Sequence, residues 1–371
     1  MNKFKNIEFL RILMILAIVM LHAYSNKPWS LYVLYPEVDL FTNLKQCFCA
    51  ANNGVEGFFI VSGFFFCLTF KPCLSFFEFI KYKYLRLAPV IIFTSLIGMI
   101  AGLFHYIKIK WFPTILSMFL LNNFVYNTKG DFLHVTWFVS ALLSAFIIYF
   151  CLKKYISGKK YWIILSVLTC LGYTILTIFR NGYFTNPTVN LFGFLSVGFL
   201  RAISGIGVGV LIGEFYKRYK NEIIKFKPSK LISILLSFSE ILLMGFIIWW
   251  ISFKHHFIYH GVVVIAFALL LILFICQKSF LSQILNKDFA VCLGKYSYSI
   301  YVTHVAVFKL ITHKLWIQHP EFVTSQPVLP VIVELSLVIL IGILTYHLVE
   351  EPVAKYFSKK FKLSKNVKGV A

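Results

Sequence analysis

The chain has 371 residues, 59% of them hydrophobic and only 13% charged, with a mean hydropathy of +0.81. Soluble domains carry roughly 25% charged residues, so a water-soluble globule is excluded and lipid is the matching solvent. The net charge of +22 resides in short segments between apolar runs rather than in a long basic arm, which argues against nucleic acid as a partner and for the lipid bilayer.

At the start of the chain, Lys3 and Lys5 precede an apolar run that reaches Ala23. It has the outline of a signal peptide, but no soluble domain follows, so it reads as a retained first span. A membrane-spanning helix needs roughly 20 apolar residues. Runs of that kind predict an all-α polytopic bundle of about ten spans at 7–24, 47–70, 84–104, 132–152, 161–180, 192–216, 231–252, 257–276, 292–314 and 328–350. An eleventh run, 112–125, is short, holds Pro113, Asn122 and Asn123, and is expected to be interfacial or re-entrant. With ten spans and both termini cytoplasmic, most of the 36 basic residues fall on one side; an extra span at 112–125 would destroy that bias. The chain reads as one domain, 1–371, whose basic tail 355–371 lies at the anionic inner leaflet. No internal repeat of the transporter kind is evident. The eight cysteines lack metal or haem spacing; Cys47 and Cys49 are too close for an ordinary disulfide framework, and Cys67, Cys151, Cys170, Cys276 and Cys292 read as small buried side chains.

Several spans carry ionisable residues, which are costly in lipid and default to function. In span one, Glu8, Arg11 and His22 share a face: eleven residues leave Arg11 and His22 about 20° apart in azimuth and about 16 Å apart along the axis. Interfacial snorkelling of Glu8 and Arg11 is the plainer alternative. Span two begins Gly54-Val55-Glu56-Gly57-Phe58-Phe59-Ile60-Val61-Ser62-Gly63, and Glu56 falls at a depth comparable to His22. A carboxylate there can orient an imidazole, or belong to a structural pair elsewhere. Lys83 and Arg86, three apart at the cytoplasmic edge before Pro89, form a basic face suited to a polyphosphate or to simple anchoring. Span four opens His134-Val135-Thr136-Trp137. Span six holds Arg201 followed by Gly205, Gly207, Gly209 and Gly213, glycines better read as helix packing than as a phosphate loop. In span nine, Ser297, Tyr301 and His304 form one polar stripe. Span ten ends in Glu350-Glu351-Pro352 near the basic loops.

In this order, the segments resemble the membrane-bound acyltransferase-3 family. The similar elements are Arg11-x10-His22, the run from Gly54 to Gly63, Lys83-x-x-Arg86 ending in Pro89, His134-x-x-Trp137, Ser297-Tyr298-Ser299-Ile300-Tyr301-x-x-His304 and Glu350-x-Pro352. Departures are Ala141 and Leu142 where many members carry a Glu after the tryptophan, Glu8 where Asp is frequent, and Lys83 in place of Arg, which loses the planar fork. The resemblance implies a membrane-bound O-acyltransferase of the bacterial cytoplasmic membrane. Its donor would be cytoplasmic acyl-CoA, usually acetyl-CoA, and its acceptor a hydroxyl of a cell-surface polysaccharide or lipid-linked glycan, with no metal. Lys83, Arg86 and Arg11 are then expected to hold the CoA, with His22 as general base or acyl carrier beside Arg11 and Glu56. His134, Trp137, Arg201, Tyr301 and His304 would serve the acceptor or the oxyanion, while Glu8, Ser62 and Glu350 would be structural. A glycan-lipid flippase is the competing reading; a polysaccharide polymerase would want a larger outer loop than 105–131.

Overall fold

The computed structural model describes residues 4–25, 50–104, 106–122, 132–184, 186–192, 195–252, 260–312, 316, 318–326 and 328–357. Apolar runs become helices: α1 (Lys5–Ser25), α2 (Gly54–Leu68), α3 (Phe76–Leu103), α4 (Trp111–Met118), α5 (Thr136–Tyr155) and α6 (Gly158–Arg180). A short antiparallel pairing of β1 (Asn190–Leu191) with β2 (Leu195–Ser196) leads into α7 (Val197–Lys225), then α8 (Lys230–Ser252) and α9 (Gly261–Cys276). The chain continues through α10 (Phe280–Leu285), α11 (Asp288–Gly294), α12 (Ser297–Val307), α13 (Pro320–Ser325) and α14 (Val328–Thr345). Wide π-helical turns prolong α12 over Phe308–Thr312 and α14 over Tyr346–Glu350.

Among the described residues, eight helices are long and apolar enough to cross a membrane. The two other expected spans take shorter forms: α9 has 16 residues, and 292–314 is broken between α11 and α12. α4 has eight residues, about 12 Å of helix against a hydrocarbon core of about 30 Å, so it does not cross. α3 begins well before residue 84. The Ser75 hydroxyl accepts from the Glu78 N–H and the Glu78 carboxylate accepts from the Ser75 N–H, closing a capping box that starts the helix there. Lys83 and Arg86 therefore ride on the second and third turns of a long helix. Cys47, Cys49, part of segment 105–131 and the tail from 358 lie outside the described residues.

The exterior is apolar: α8 exposes Leu231, Leu235, Phe238 and Leu242, and α6 exposes Ile163, Val167 and Ile178. Glu56, Arg201, Ser299 and His304 are fully buried. Apolar outside and polar inside is the order that lipid imposes. Cys67 is buried as expected, but Cys170 and Cys292 sit on the exposed surface. The glycines of α7 let it approach α2 closely: a β-carbon on Gly209 would collide with the Ile60 carbonyl, and one on Gly63 with that of Ile206. This crossing brings Arg201 to Glu56.

Candidate active site

α1 separates two polar clusters, one at each end. At the far end, His22 lies among imidazoles. The Nε2 of His134 is 3.5 Å from its Nδ1, a long hydrogen bond, and the ring centroids are 5.0 Å apart. The His304 ring lies on another side, 5.2 Å away between centroids. His134 belongs to the turn before α5, and three contacts fix that turn. The Phe132 N–H donates to the Thr114 hydroxyl, Lys309 donates to the Phe132 carbonyl, and the Tyr301 hydroxyl donates to the Val135 carbonyl at 2.9 Å. Tyr301 is thus a brace for the His134 turn, and its proton is already given to a backbone oxygen rather than held for an oxyanion. His304, one turn on from Tyr301, donates from Nδ1 to the Tyr301 carbonyl at 2.6 Å. Its only N–H is engaged in the neutral ring, which again differs from the expected role of oxyanion donor.

Glu56 has a partner other than His22. One carboxylate oxygen accepts from Arg201 Nε at 2.6 Å and the other from the Tyr173 hydroxyl at 2.8 Å. The remaining guanidinium nitrogens donate to the carbonyls of Phe184 and Asn52. Both side chains of the pair are wholly buried. Trp137 lies beside the guanidinium, which is 5.4 Å from its ring centroid. Of the two alternatives for Glu56, the geometry matches the structural pair. Arg201, Glu56 and Trp137 form a buried cluster of their own.

At the near end of α1, Arg11 donates to Glu8 at 2.8 Å. Glu350, delivered by the π turn, accepts from the Ser299 hydroxyl at 2.6 Å and has Arg86 and Arg11 as electrostatic neighbours. Ser299 therefore holds the carboxylate, while Ser297 donates to the Gly294 carbonyl. The Lys83 ammonium sits over Phe146 at 4.1 Å, with Phe79 and Phe66 at 5.7 and 5.8 Å. Neither Lys83 nor Arg86 makes an ion pair or hydrogen bond with a described residue. A cation–π cage with no counter-anion among the described residues, next to an exposed guanidinium, is a ready place for a polyanion. Ser62 is half-buried on α2 and has no side-chain hydrogen bond to a described residue.

Tyr173, Lys309 and the phenylalanine cage are not legible in the sequence, because each partner comes from a different helix and no local spacing encodes it. Among the described residues, no group of three or more His, Cys, Asp or Glu side chains is arranged to hold a metal ion.

The family model described as an acyltransferase domain, acyltransferase-3, matches residues 4–347. No curated protein and no solved structure matches the chain. Together with the eight apolar helices, the match covers nearly the whole bundle, including both ends of α1. The chain belongs to the acyltransferase-3 family and is a multi-pass membrane acyltransferase.

Proposed function

We propose that the protein transfers an acyl group, acetyl in the leading case, from cytoplasmic acyl-CoA to a hydroxyl of an extracytoplasmic or lipid-linked glycan. The observation that carries this reading is the separation of chemistry along α1, with cations at one end and imidazoles at the other, about 16 Å apart. In this reading both termini are cytoplasmic, so the Arg11 end faces the cytoplasm. Lys83, Arg86 and Arg11 hold the phosphates of the CoA there. The pantetheine arm reaches from there toward His22. His22 takes the proton of the acceptor hydroxyl as its oxygen adds to the thioester carbon; the C–S bond then breaks, and the thiolate leaves with a proton. His134, against Nδ1 of His22, orients the ring and stabilises its charged form, a task expected of Glu56 from sequence. The lipid-facing shell around this path limits hydrolysis of the thioester.

Family membership favours transfer over glycan flipping. Purified protein in liposomes, given labelled acetyl-CoA and the surface glycan of the producing cell, separates the two. Label on the glycan supports the proposal; glycan movement without label favours the flippase. Mass spectrometry of the surface glycan, with and without the gene product, reads the same difference in cells.

A further inference from the structure

His304 carries an unanswered atom. Its side chain is fully buried, and Nε2 has no hydrogen-bond partner. The other nitrogen is settled: a carbonyl oxygen can only accept, so the 2.6 Å contact with the Tyr301 carbonyl places the proton on Nδ1. Nε2 of the neutral ring is therefore a lone pair. Leaving a buried acceptor empty costs stability unless something supplies a hydrogen. Around the ring stand Tyr301 and Phe308, both 5.8 Å away between centroids, and His22 at 5.2 Å. Tyr301 donates to Val135, and Phe308 has no donor.

We infer that the donor is the acceptor substrate itself: His304 Nε2 receives a hydrogen bond from a second hydroxyl or amide N–H, on the carbon next to the one acylated at His22. This rests on the acyl-transfer reading above and names its acceptor class, a vicinal diol or a vicinal amino-alcohol derivative. Donors on adjacent carbons lie about 3 Å apart, and hydrogen bonds of about 2.9 Å from each reach nitrogens on rings spaced as His22 and His304 are. A primary alcohol beside a ring ether has no such neighbour and leaves Nε2 empty. His304 is thus a positioning residue: it fixes which hydroxyl meets His22. A site built around a hydrogen bond rejects analogues lacking the partner far more strongly than an apolar pocket rejects extra bulk.

The test combines nuclear magnetic resonance of the acylated glycan from cells carrying the wild-type protein with acylation levels for His304→Phe and His304→Gln at matched membrane abundance. Phe keeps a ring against Phe308 but has no acceptor; Gln offers a carbonyl oxygen at similar reach. The expected acyl group lies on a secondary hydroxyl whose neighbouring carbon bears a free hydroxyl or amide N–H. His304→Phe is expected to lose at least about 10-fold in acylation, and His304→Gln to retain several-fold more than Phe. An acyl group on a position with no adjacent donor overturns the inference, and this arm needs no variant to fold. Wild-type acylation in His304→Phe, or a Gln variant no better than Phe, also overturns it. A glycan with no acyl group at all sinks the acyl-transfer reading instead, so the two failures are distinguishable.

Discussion

Arg201 donates from Nε to Glu56 at 2.6 Å with neither side chain exposed, joining α7 to α2 across residues 145 apart in sequence. The pair also gathers Tyr173, Phe184 and Asn52, so each guanidinium nitrogen and both carboxylate oxygens are satisfied. Removing one partner leaves a buried charge unpaired, at a cost of about 3–5 kcal/mol. Glu56→Ala and Arg201→Ala are expected to lower the melting temperature of detergent-purified protein and its yield. The double substitution Glu56→Gln with Arg201→Met is expected to recover part of the loss. A Glu56→Ala protein that melts like wild type contradicts a structural role for the pair.

In the proposed reaction, Lys83 and Arg86 bind the donor rather than take part in bond making. Lys83→Ala and Arg86→Ala are each expected to raise KM for acyl-CoA about 10-fold with kcat changed less, as loss of uniform binding requires. Lys83→Arg is expected to be intermediate, because a wider guanidinium must fit against Phe146, Phe79 and Phe66. Steady-state kinetics with varied donor concentration checks this; an unchanged KM with a collapsed kcat contradicts it.

In the proposed reaction, Tyr301 acts through the backbone it braces at Val135. Tyr301→Phe removes one hydrogen bond to the Val135 carbonyl, a loss of about 1 kcal/mol of stability. The buried ring remains packed 5.3 Å from Phe138. Acylation is expected to fall several-fold as the His134 turn loosens, with KM for the acyl donor unchanged. A loss as deep as that of a His22 variant would mean that the hydroxyl meets the substrate directly.

Much of this arrangement is local enough to read in the chain. The Arg11–His22 face follows from eleven residues spanning close to three helical turns, and the apolar runs announce the helices. The start of α3 is also encoded locally, in Ser75 and Glu78, a signal that the apolar run beginning at 84 conceals. What the chain hides is pairing between helices. Depth along separate spans puts Glu56 beside His22, but rotation of α2 about its axis turns it to Arg201 and Tyr173. The cage of Lys83 draws phenylalanines from α2, α3 and α5, and the imidazole next to His22 comes from the turn before α5. Hydrophobic periodicity tells which side of a helix is buried in protein, not which neighbour it meets.

In the proposed reaction, acyl transfer runs through His22. The most direct measurement is mass spectrometry of the surface glycan from cells producing His22→Ala at the membrane abundance of the wild type. The acyl mass increment seen with the wild-type protein is expected to be lost. An increment of wild-type size in the His22→Ala glycan would contradict it.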